Sequence, residues 1–449
     1  MHLLTAYLPA EVFRRELVSK TVLAAFLASK GLRVIFGHRW YVTYSALSNA
    51  RKGDLFFTSH PIAKHDLALI GPLLDRGVCF IGNEDEAVFD EPNYSDQILQ
   101  RQHSDDFSNF KFWTPWGNRD FEVISNISPK HVGILNKGNY RTALWGDFGR
   151  EFYFNESNEI ASEYQEYLLF ATSFAPTIAE HRETIKRFHK NNQAFSIDRL
   201  DKDAEVVNNV VALERTKIAI STLLRNTSLK IVIRPYNSKS DFMTRSLLKS
   251  IPRELKDRVF VDNRPQITPL ILASKGVVHQ GSTVGIESLA LGKITVDLNE
   301  FYFDSKSLDS MKLSSLRSIR PLSEDELVRV FHGDSIRPKI DVDDLVTVPK
   351  GIDFYNDLWE SIKQLGPEFN NQACDKKEWI SVKRSLLYRL FTFVRQGKVY
   401  RYDLEKRPHI SMKSVLRDFV KASELFGIPQ GKIQFDRIER GTYLTEHLK

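Results

Sequence analysis

Short apolar segments alternate with longer amphipathic ones along most of the chain. The short segments are rich in Val, Ile, Leu and Phe and end at polar residues or glycine, which is typical of buried parallel strands. The longer segments repeat apolar residues at helical spacing, so the pattern predicts two doubly wound α/β domains in tandem. The predicted strands are His2–Leu8, Arg33–Phe36, Asp54–Phe57, Val78–Ile81, Phe110–Trp113, His131–Ile134, Glu166–Thr172, Lys230–Ile233, Val259–Val261, Gly276–Val278 and Ile294–Val296.

The chain has 449 residues, which is too many for a single hydrophobic core. We place a Rossmann-like N-terminal domain at residues 1–155 and a second Rossmann-like domain at 156–350. Ile352–Leu365 has helical spacing and lies in the segment 351–369, between the second domain and the carboxyl-terminal extension, 370–449. Ligands of such sheets bind beyond the carboxyl ends of the strands. We therefore expect the binding site there, in a cleft that the two domains face.

Charge is unevenly distributed along the chain. Residues 370–449 contain 17 Lys and Arg against 9 Asp and Glu, a net charge of +8, while residues 1–369 carry −2 of the total of +6. This distribution argues against a nucleic-acid-binding core and indicates a separate basic extension with an anionic partner. Within residues 383–401 a helical face contains Leu386, Leu387, Leu390, Phe391 and Val394. We predict that this helix either contacts a membrane surface or packs on the protein itself.

Several classes of protein are not expected from this sequence. No apolar run approaches the roughly 18 residues that cross a bilayer, and the amino-terminal segment lacks the layout of a signal peptide. We therefore expect a cytoplasmic protein, at the inner face of the cytoplasmic membrane if the extension binds there. Two cysteines, Cys79 and Cys374, exclude a disulfide framework. No dinucleotide fingerprint, Walker loop or metal-spaced cluster occurs, so we expect neither a cofactor nor a metal.

One segment combines a buried strand with a polar turn that suits an anion. The predicted strand Gly276–Val278 delivers His279 to the carboxyl edge of its sheet, and Gly281 allows the backbone to turn closely. Ser282 or Thr283 can then cap the next helix, whose first amide groups point at the same space. The segment predicts a phosphate site. A hydrogen-bonded core histidine is the alternative for His279.

Two further features extend this candidate site. Glu287 lies about one turn into the helix, where a carboxylate can reach the hydroxyls of a sugar beside the phosphate. The strand Lys230–Ile233 ends in a second polar turn, which contains Arg234 and Tyr236. Turns of this kind hold anions, so we expect both to lie at the same anion-binding site.

These segments resemble the donor-binding half of bacterial glycosyltransferases of the GT-B type, in particular surface carbohydrate biosynthesis proteins. Capsular Kdo transferases and teichoic-acid polymerases are more distantly similar. In those families an Arg-Pro-His-Pro turn, a His-x-Gly-Ser/Thr-Thr-x-x-x-Glu run and a Gly-Lys pair recur in this order. The corresponding segments here are Arg234–Asn237, His279–Glu287 and Gly292–Lys293. Tyr236 stands where the family has His, and Asn237 stands where it has the second Pro.

The resemblance extends into the N-terminal domain, from about Ala6 onward, and implies roles for further residues. Glu84–Ala87 occupies the place of an Asp-Glu-Glu-Gly motif, which implies that Asp85 and Glu86 are catalytic carboxylates. A solvated acidic turn is the alternative for this segment. Other matched motifs imply an acceptor-binding or phosphate-binding role for Arg15, Glu16, Asn139 and Arg141.

The resemblance implies a glycosyltransferase, with CMP-Kdo or another CMP-nonulosonate as the expected donor and a surface polysaccharide or lipid-linked glycan as the acceptor; UDP- and GDP-activated sugars stay open as donors. Because no metal-spaced cluster occurs, we expect the reaction to be metal-independent. The resemblance also implies that the helix within residues 351–369 crosses back to the first domain. His279 and the helix start would offset charge on the leaving phosphate. Two alternatives stay open. One is a CDP-polyol phosphotransferase of the teichoic-acid type, and the other is a non-catalytic carbohydrate-binding scaffold with a degenerate site.

Overall fold

The computed structural model describes residues 4–60, 62, 64–83, 107–172, 204–235, 242–299, 301, 318–332, 342, 344–365, 411–428, 433–439 and 442–447. The chain divides into two compact units. Unit 1 contains Met1–Val88, Asn93–Phe152 and Asp343–Lys449, and unit 2 contains Phe89–Pro92 and Tyr153–Val342. Unit 1 is therefore built from separate parts of the chain.

Thirteen strands form two sheets within the described residues, one in each unit. The strands are β1 (Thr5–Ala10), β2 (Arg33–His38), β3 (Leu55–Thr58), β4 (Cys79–Asn83), β5 (Phe110–Thr114), β6 (Gly133–Ile134), β7 (Tyr167–Ala171), β8 (Lys230–Arg234), β9 (Val259–Val261), β10 (Gly276–His279), β11 (Ile294–Asp297), β12 (Ile433–Glu439) and β13 (Thr442–His447). Every strand predicted from the sequence is present, with ends shifted by at most three residues.

The α-helices of the described residues connect or cover these strands. They are α1 (Phe13–Ser29), α2 (Arg39–Asn49), α3 (Lys64–Asp75), α4 (Asn118–Ile127), α5 (Asp147–Phe152), α6 (Phe154–Tyr164), α7 (Ala204–Asn226), α8 (Phe242–Ser250), α9 (Thr268–Ala273), α10 (Val284–Ala290), α11 (Glu324–Phe331), α12 (Asp353–Lys363) and α13 (Met412–Leu425). Thr142–Trp145 and Arg253–Arg258 form 3-10 turns.

The sheet of unit 1 has the strand order β12-β13-β2-β1-β3-β4-β5-β6. Strands β1 to β6 are parallel, and β12 and β13 are added antiparallel beside β2. The chain passes from β1 to β2 on one side and then crosses back to β3 on the other. Because right-handed crossovers in opposite directions place their helices on opposite faces, this reversal leaves a crevice at the carboxyl ends of β1 and β3.

The sheet of unit 2 has the order β11-β10-β7-β8-β9, and all its strands are parallel. The chain runs from β7 through β8 to β9 and then returns to place β10 on the other side of β7. The equivalent crevice therefore lies between the ends of β7 and β10, where Ala171 pairs with His279. Apolar residues of α7, α8 and α11 pack on this sheet to form the core of the unit.

The carboxyl-terminal part of the chain completes unit 1. Helix α13 packs against α1, and the ring of Phe426 lies 5.2 Å from that of Phe26 and 5.2 Å from that of Tyr355 on α12. The predicted helix Ile352–Leu365 is observed as α12. The segment after α13 forms the hairpin β12–β13, because β2 offers it an unpaired edge.

The prediction of two doubly wound α/β units with a helical carboxyl-terminal region is confirmed. No helix within the described residues is both long and apolar enough to span a bilayer. The predicted membrane-contacting segment, 383–401, lies outside the described residues.

Candidate functional site

His279 lies at the carboxyl end of β10, at the strand reversal of unit 2, and its side chain is buried. Its Nδ1 accepts a hydrogen bond from the backbone N–H of Ser282 at 3.4 Å. The proton of the neutral ring is therefore on Nε2, which donates to Oγ of Ser318 at 3.0 Å. Both ring nitrogens are thus engaged within the unit, so this histidine acts on the turn that follows it.

The turn after His279 is partly open to solvent although its support is buried. Gly281 is exposed, and Ser282 and Thr283 are half-buried. Gly281 has φ of +57°, a left-handed conformation that glycine adopts without strain. A Cβ on Gly285 would lie 2.3 Å from Nε2 of His279, so glycine is also required where α10 packs on the imidazole ring. The result is an accessible polar turn on a rigid base.

The amide groups of this turn are mostly paired internally. Besides the bond from Ser282 to His279, the N–H of Val284 donates to Oγ of Ser282 and that of Gly285 donates to the Ser282 carbonyl. The sequence led us to expect free amides at the start of α10. The turn instead presents the hydroxyl groups of Ser282 and Thr283 as its half-buried polar side chains.

Asp297, at the end of β11, supports the turn from the other side. Its Oδ1 accepts from the N–H of Gly281 at 3.4 Å and from the N–H of Asn299 at 3.0 Å. Burial lowers the pKa of His279, and the negative charge of Asp297 opposes this shift without cancelling it. The histidine is therefore neutral at physiological pH.

Glu287 is buried within α10, about one helical turn after the polar turn that contains Gly281. Its Oε1 accepts a hydrogen bond from Oγ1 of Thr268 at 2.5 Å, which ties α10 to the start of α9. The carboxylate thus holds two helices together at this edge of the sheet. Its predicted contact with a donor sugar stays a prediction.

Arg234 ends β8, on the opposite side of β7 from His279, and both pair with Ala171. Its guanidinium donates to the carbonyl of Asp262 at 3.3 Å and to that of Pro265 at 3.2 Å. The side chain is buried and fixes the turn after β9. The structure therefore brings two predicted donor-site residues to one edge of the sheet, with β7 between them.

In unit 1, Glu16 lies in the first turn of α1 and is buried. Its carboxylate accepts from the N–H groups of Glu11 and Val12, each at 2.9 Å, and pairs with Nζ of Lys20 at 2.9 Å. Burial alone would raise the pKa of Glu16. The charges of Lys20 and Arg15 outweigh burial and hold that pKa far below its ordinary range.

Lys20 ties together the ends of β1 and β3. It is fully buried, and its Nζ donates to the carbonyl of Pro9 at 2.5 Å and to Oγ of Ser59 at 2.6 Å, besides Glu16. The predicted Arg15 lies at the margin of this network, 3.4 Å from Glu16. A buried ion pair therefore fixes the loops on both sides of the strand reversal in unit 1.

Asn139 and Arg141 form a second structured turn in unit 1. Oδ1 of Asn139 accepts from the N–H groups of Arg141 and Thr142, at 2.9 and 3.0 Å, and so caps the 3-10 turn. Nδ2 of Asn139 is buried and has no hydrogen-bond partner within the described residues. The guanidinium of Arg141 lies 5.5 Å from the ring centroids of both Trp116 and Trp145.

The two groups of unit 1 residues are close to each other. Nζ of Lys20 lies 5.9 Å from the ring of Tyr140, the residue between Asn139 and Arg141. The predicted Glu16 and the predicted Asn139–Arg141 turn are thus linked through a lysine and a tyrosine.

The predicted catalytic carboxylates Asp85 and Glu86, and the donor-site residue Tyr236, lie outside the described residues. Their roles stay predictions. Within the described part of the chain, no group of three or more His, Cys, Asp or Glu side chains is placed to hold a metal ion.

Sequence reasoning did not identify Lys20, Asp297 or Ser318. Lys20 carried a signal, because it is a charged residue one helical turn after Glu16 inside an otherwise apolar stretch. Asp297 also carried one, since it ends a predicted strand as His279 does. Ser318 lies 39 residues after its partner His279 and had no local signal.

Comparison with known proteins gives a fold-level likeness. No protein-family model matches the chain, and no curated protein matches it. Among solved structures, the wall teichoic acid polymerase TagF is 12% identical at a TM-score of 0.47, covering 74% of this chain and 78% of that chain. The UDP complex of HepE (Alr3699) from Anabaena has 10% identity and a TM-score of 0.37, covering 81% and 98%.

A third solved structure, UDP-N-acetylglucosamine 2-epimerase from Rickettsia bellii, is 9% identical at a TM-score of 0.46, and the likeness covers 81% of this chain and 98% of that one. All three TM-scores are below 0.5, so the likeness is one of general outline.

Proposed function

We propose that the chain is a GT-B type glycosyltransferase that moves a sugar from a nucleotide-activated donor to a hydroxyl group of a glycan acceptor. The observation that supports this most is the turn Gly281–Thr283. It is an accessible hydroxyl-bearing turn at the strand reversal of unit 2, on a buried base of His279, Ser318 and Asp297. In parallel α/β sheets such reversals are where nucleotides and other phosphorylated ligands bind.

In this proposal Ser282 and Thr283 bind the donor phosphate through their hydroxyl groups. His279 is a positioning residue, because both its ring nitrogens serve the turn. Arg234 and Glu287 likewise hold the surrounding backbone, the first through the carbonyls after β9 and the second through Thr268.

The chemistry itself is assigned to the carboxylates of Asp85 and Glu86. One of them accepts the proton of the acceptor hydroxyl while the oxygen of that hydroxyl forms a bond to the sugar carbon. The bond from that carbon to the donor phosphate breaks, and the nucleotide leaves with the electron pair. A CMP-activated acidic sugar is the proposed donor, and a surface polysaccharide or lipid-linked glycan is the proposed acceptor.

The first test is calorimetric titration of the full chain with CMP, CDP, UDP and GDP. We expect one of these nucleotides to bind and Ser282→Ala/Thr283→Ala to weaken its binding at least tenfold, since hydrogen bonds to a charged group contribute about 1.5–3 kcal/mol each. Ser157→Ala, which changes a half-buried serine on α6 of the same unit, is the matched control and should leave the affinity unchanged.

The nucleotide that binds also separates the candidate functions. Binding of CMP supports transfer of a nonulosonate, while preference for CDP indicates a polyol phosphotransferase instead. If no nucleotide binds, the enzymatic proposal is wrong and the scaffold alternative takes its place.

A further inference from the structure

A cavity of about 60 Å³ lies at the strand reversal of unit 1. Its walls come from the carboxyl ends of β1 and β3 and from helices α2 and α3, and they include Pro9, Thr58 and Ser59. Lys20 fixes two of these wall residues from beneath, through the Pro9 carbonyl and the Ser59 hydroxyl. The cavity is therefore a preformed crevice at the place where open parallel sheets bind their ligands.

The polar part of the wall contains an unpaired hydroxyl group. Thr58 is 7% exposed, and its Oγ1 is buried without a hydrogen-bond partner within the described residues. A buried hydroxyl with no partner costs free energy, and a ligand that pairs with it recovers that cost. Thr58 therefore marks the position of a hydrogen-bonding group on the ligand.

The charged part of the wall contains an ion pair. Nη1 of Arg39 lies 2.6 Å from Oε2 of Glu11, and both residues line the cavity. The guanidinium of Arg39 also lies 4.7 Å from the ring centroid of Trp40, which holds it in place. Such a pair offers donors and acceptors side by side while its charges cancel, so it suits neighbouring hydroxyl groups better than an anion.

The remaining wall is mostly apolar, with Thr43 and His60 as its other polar side chains, and the space is small. Phe56, Ile62 and Ile70 supply hydrocarbon surface suited to C–H groups. At roughly 10–15 Å³ for each water-sized site, the volume corresponds to about four to six waters, the size of a short polyol or of one hydroxyl-bearing edge of a sugar ring.

We propose that this cavity binds a neutral polyhydroxyl group, either one edge of a sugar ring or a short polyol, through Thr58, Glu11 and Arg39. This proposal rests on the proposed function in one respect. If the chain is a glycosyltransferase, the bound group is the terminal unit of its acceptor.

The test is saturation-transfer NMR on the full chain with glycerol, methyl glucoside and methyl galactoside as neutral probes. Glucuronate and glucose 6-phosphate serve as anionic counterparts. We expect at least one neutral probe to bind and its anionic counterpart to bind more weakly. Thr58→Val should weaken the neutral probe about fivefold to tenfold, which is the effect of one hydrogen bond. Arg39→Gln should weaken it at least as much.

Three controls keep the result interpretable. Thr58→Ser retains the hydroxyl and should retain binding, whereas Thr216→Val makes the same kind of change in unit 2 and should have no effect. The melting temperature of Thr58→Val should not fall, because the deleted hydroxyl has no partner to lose.

The proposal is overturned if no neutral probe binds, if Thr58→Val binds as tightly as wild type, or if the anionic probes bind as tightly as the neutral ones. Its failure is distinguishable from failure of the proposed function. Nucleotide binding in unit 2 without polyol binding removes this assignment alone, and polyol binding without any nucleotide affinity removes the transferase alone.

Discussion

Both ring nitrogens of His279 have hydrogen-bond partners inside unit 2, and burial lowers the pKa of the ring. The folded chain therefore resists protonation at a pH where the unfolded chain, with a histidine pKa of about 6.5, already binds a proton. This contribution to stability is fully present above that pH and is lost as the pH falls below it, by at most about 1.4 kcal/mol for each pH unit.

We predict that the difference in unfolding free energy between wild type and His279→Gln shrinks by about 1 kcal/mol between pH 7.5 and pH 5.5. All six tryptophans lie outside residues 153–342, so tryptophan fluorescence reports the unfolding of unit 1. Far-UV circular dichroism reports both units, and the part of its transition that fluorescence does not show is the unfolding of unit 2. A difference that stays constant over this range would contradict the neutral, buried state of the ring.

Glu16 and Lys20 form a buried ion pair in unit 1, and the pKa of Glu16 is lowered. We predict that Glu16→Gln costs about 3–5 kcal/mol of unfolding free energy at neutral pH, because it leaves the lysine charge buried without its partner. Adding Lys20→Met should recover much of this loss. The measurement is urea unfolding followed by tryptophan fluorescence, and simple addition of the two effects would show that the pair is not coupled.

The stability that Glu16 contributes also depends on pH, but for a different reason from that of His279. The carboxylate is stabilised in its charged form, so its contribution is present above the unfolded pKa of about 4.3 and is lost as the pH falls below it. Acid therefore weakens unit 1 through Glu16 at a lower pH than it weakens unit 2 through His279.

The sequence predicted the position of His279 in the fold but not its hydrogen-bond partners. The arrival of His279 at the carboxyl edge of its sheet followed from the strand before it. Its hydrogen bond to Ser318 depends on tertiary packing and has no local pattern. For the same reason the amides expected to be free at the start of α10 proved to be paired within the turn.

At the scale of elements, α13 is an amphipathic helix whose inner face packs on α1. Phe419 on that face is 3% exposed, while Leu416 on the same helix is 37% exposed. We predict that Phe419→Ala lowers the unfolding free energy of unit 1 by about 3–5 kcal/mol, since it opens a cavity in a packed interface.

Leu416→Ala is the matched control, and it should change the stability of unit 1 by no more than about 0.5 kcal/mol. Fluorescence-detected unfolding reports both variants. Equal effects of the two substitutions would mean that α13 does not pack on α1 as described.

The apolar strands were predictable from their composition, but α2 and the hairpin β12–β13 were not. Helix α2 contains Trp40, Tyr41, Val42 and Thr43, residues that favour strands when considered alone. A two-stranded hairpin is marginal by itself, so β12 and β13 depend on their pairing with β2. Both elements owe their structure to contacts that are distant in sequence.

At the scale of the molecule, the two units share one organisation. Each has a sheet whose parallel strands reverse their order once, with an antiparallel hairpin added in unit 1, and each places its best candidate site at that reversal. In unit 2 this is the turn after His279, and in unit 1 it is the cavity beside Thr58. The alternation of strands and helices predicted the two sheets, but only the pairing of strands shows where each reverses.

The pairing of Tyr443 with Phe36 joins two ends of a long stretch of chain. Ribosomes make proteins from the amino terminus, and contiguous parts fold as they emerge. Unit 2 is complete once residue 342 has left the exit tunnel. The first sheet of the nascent polypeptide must wait, with one strand edge unpaired and the hydrophobic side of α1 uncovered, until the hairpin and α13 are synthesised. Of the two units, unit 1 is therefore begun first and completed last.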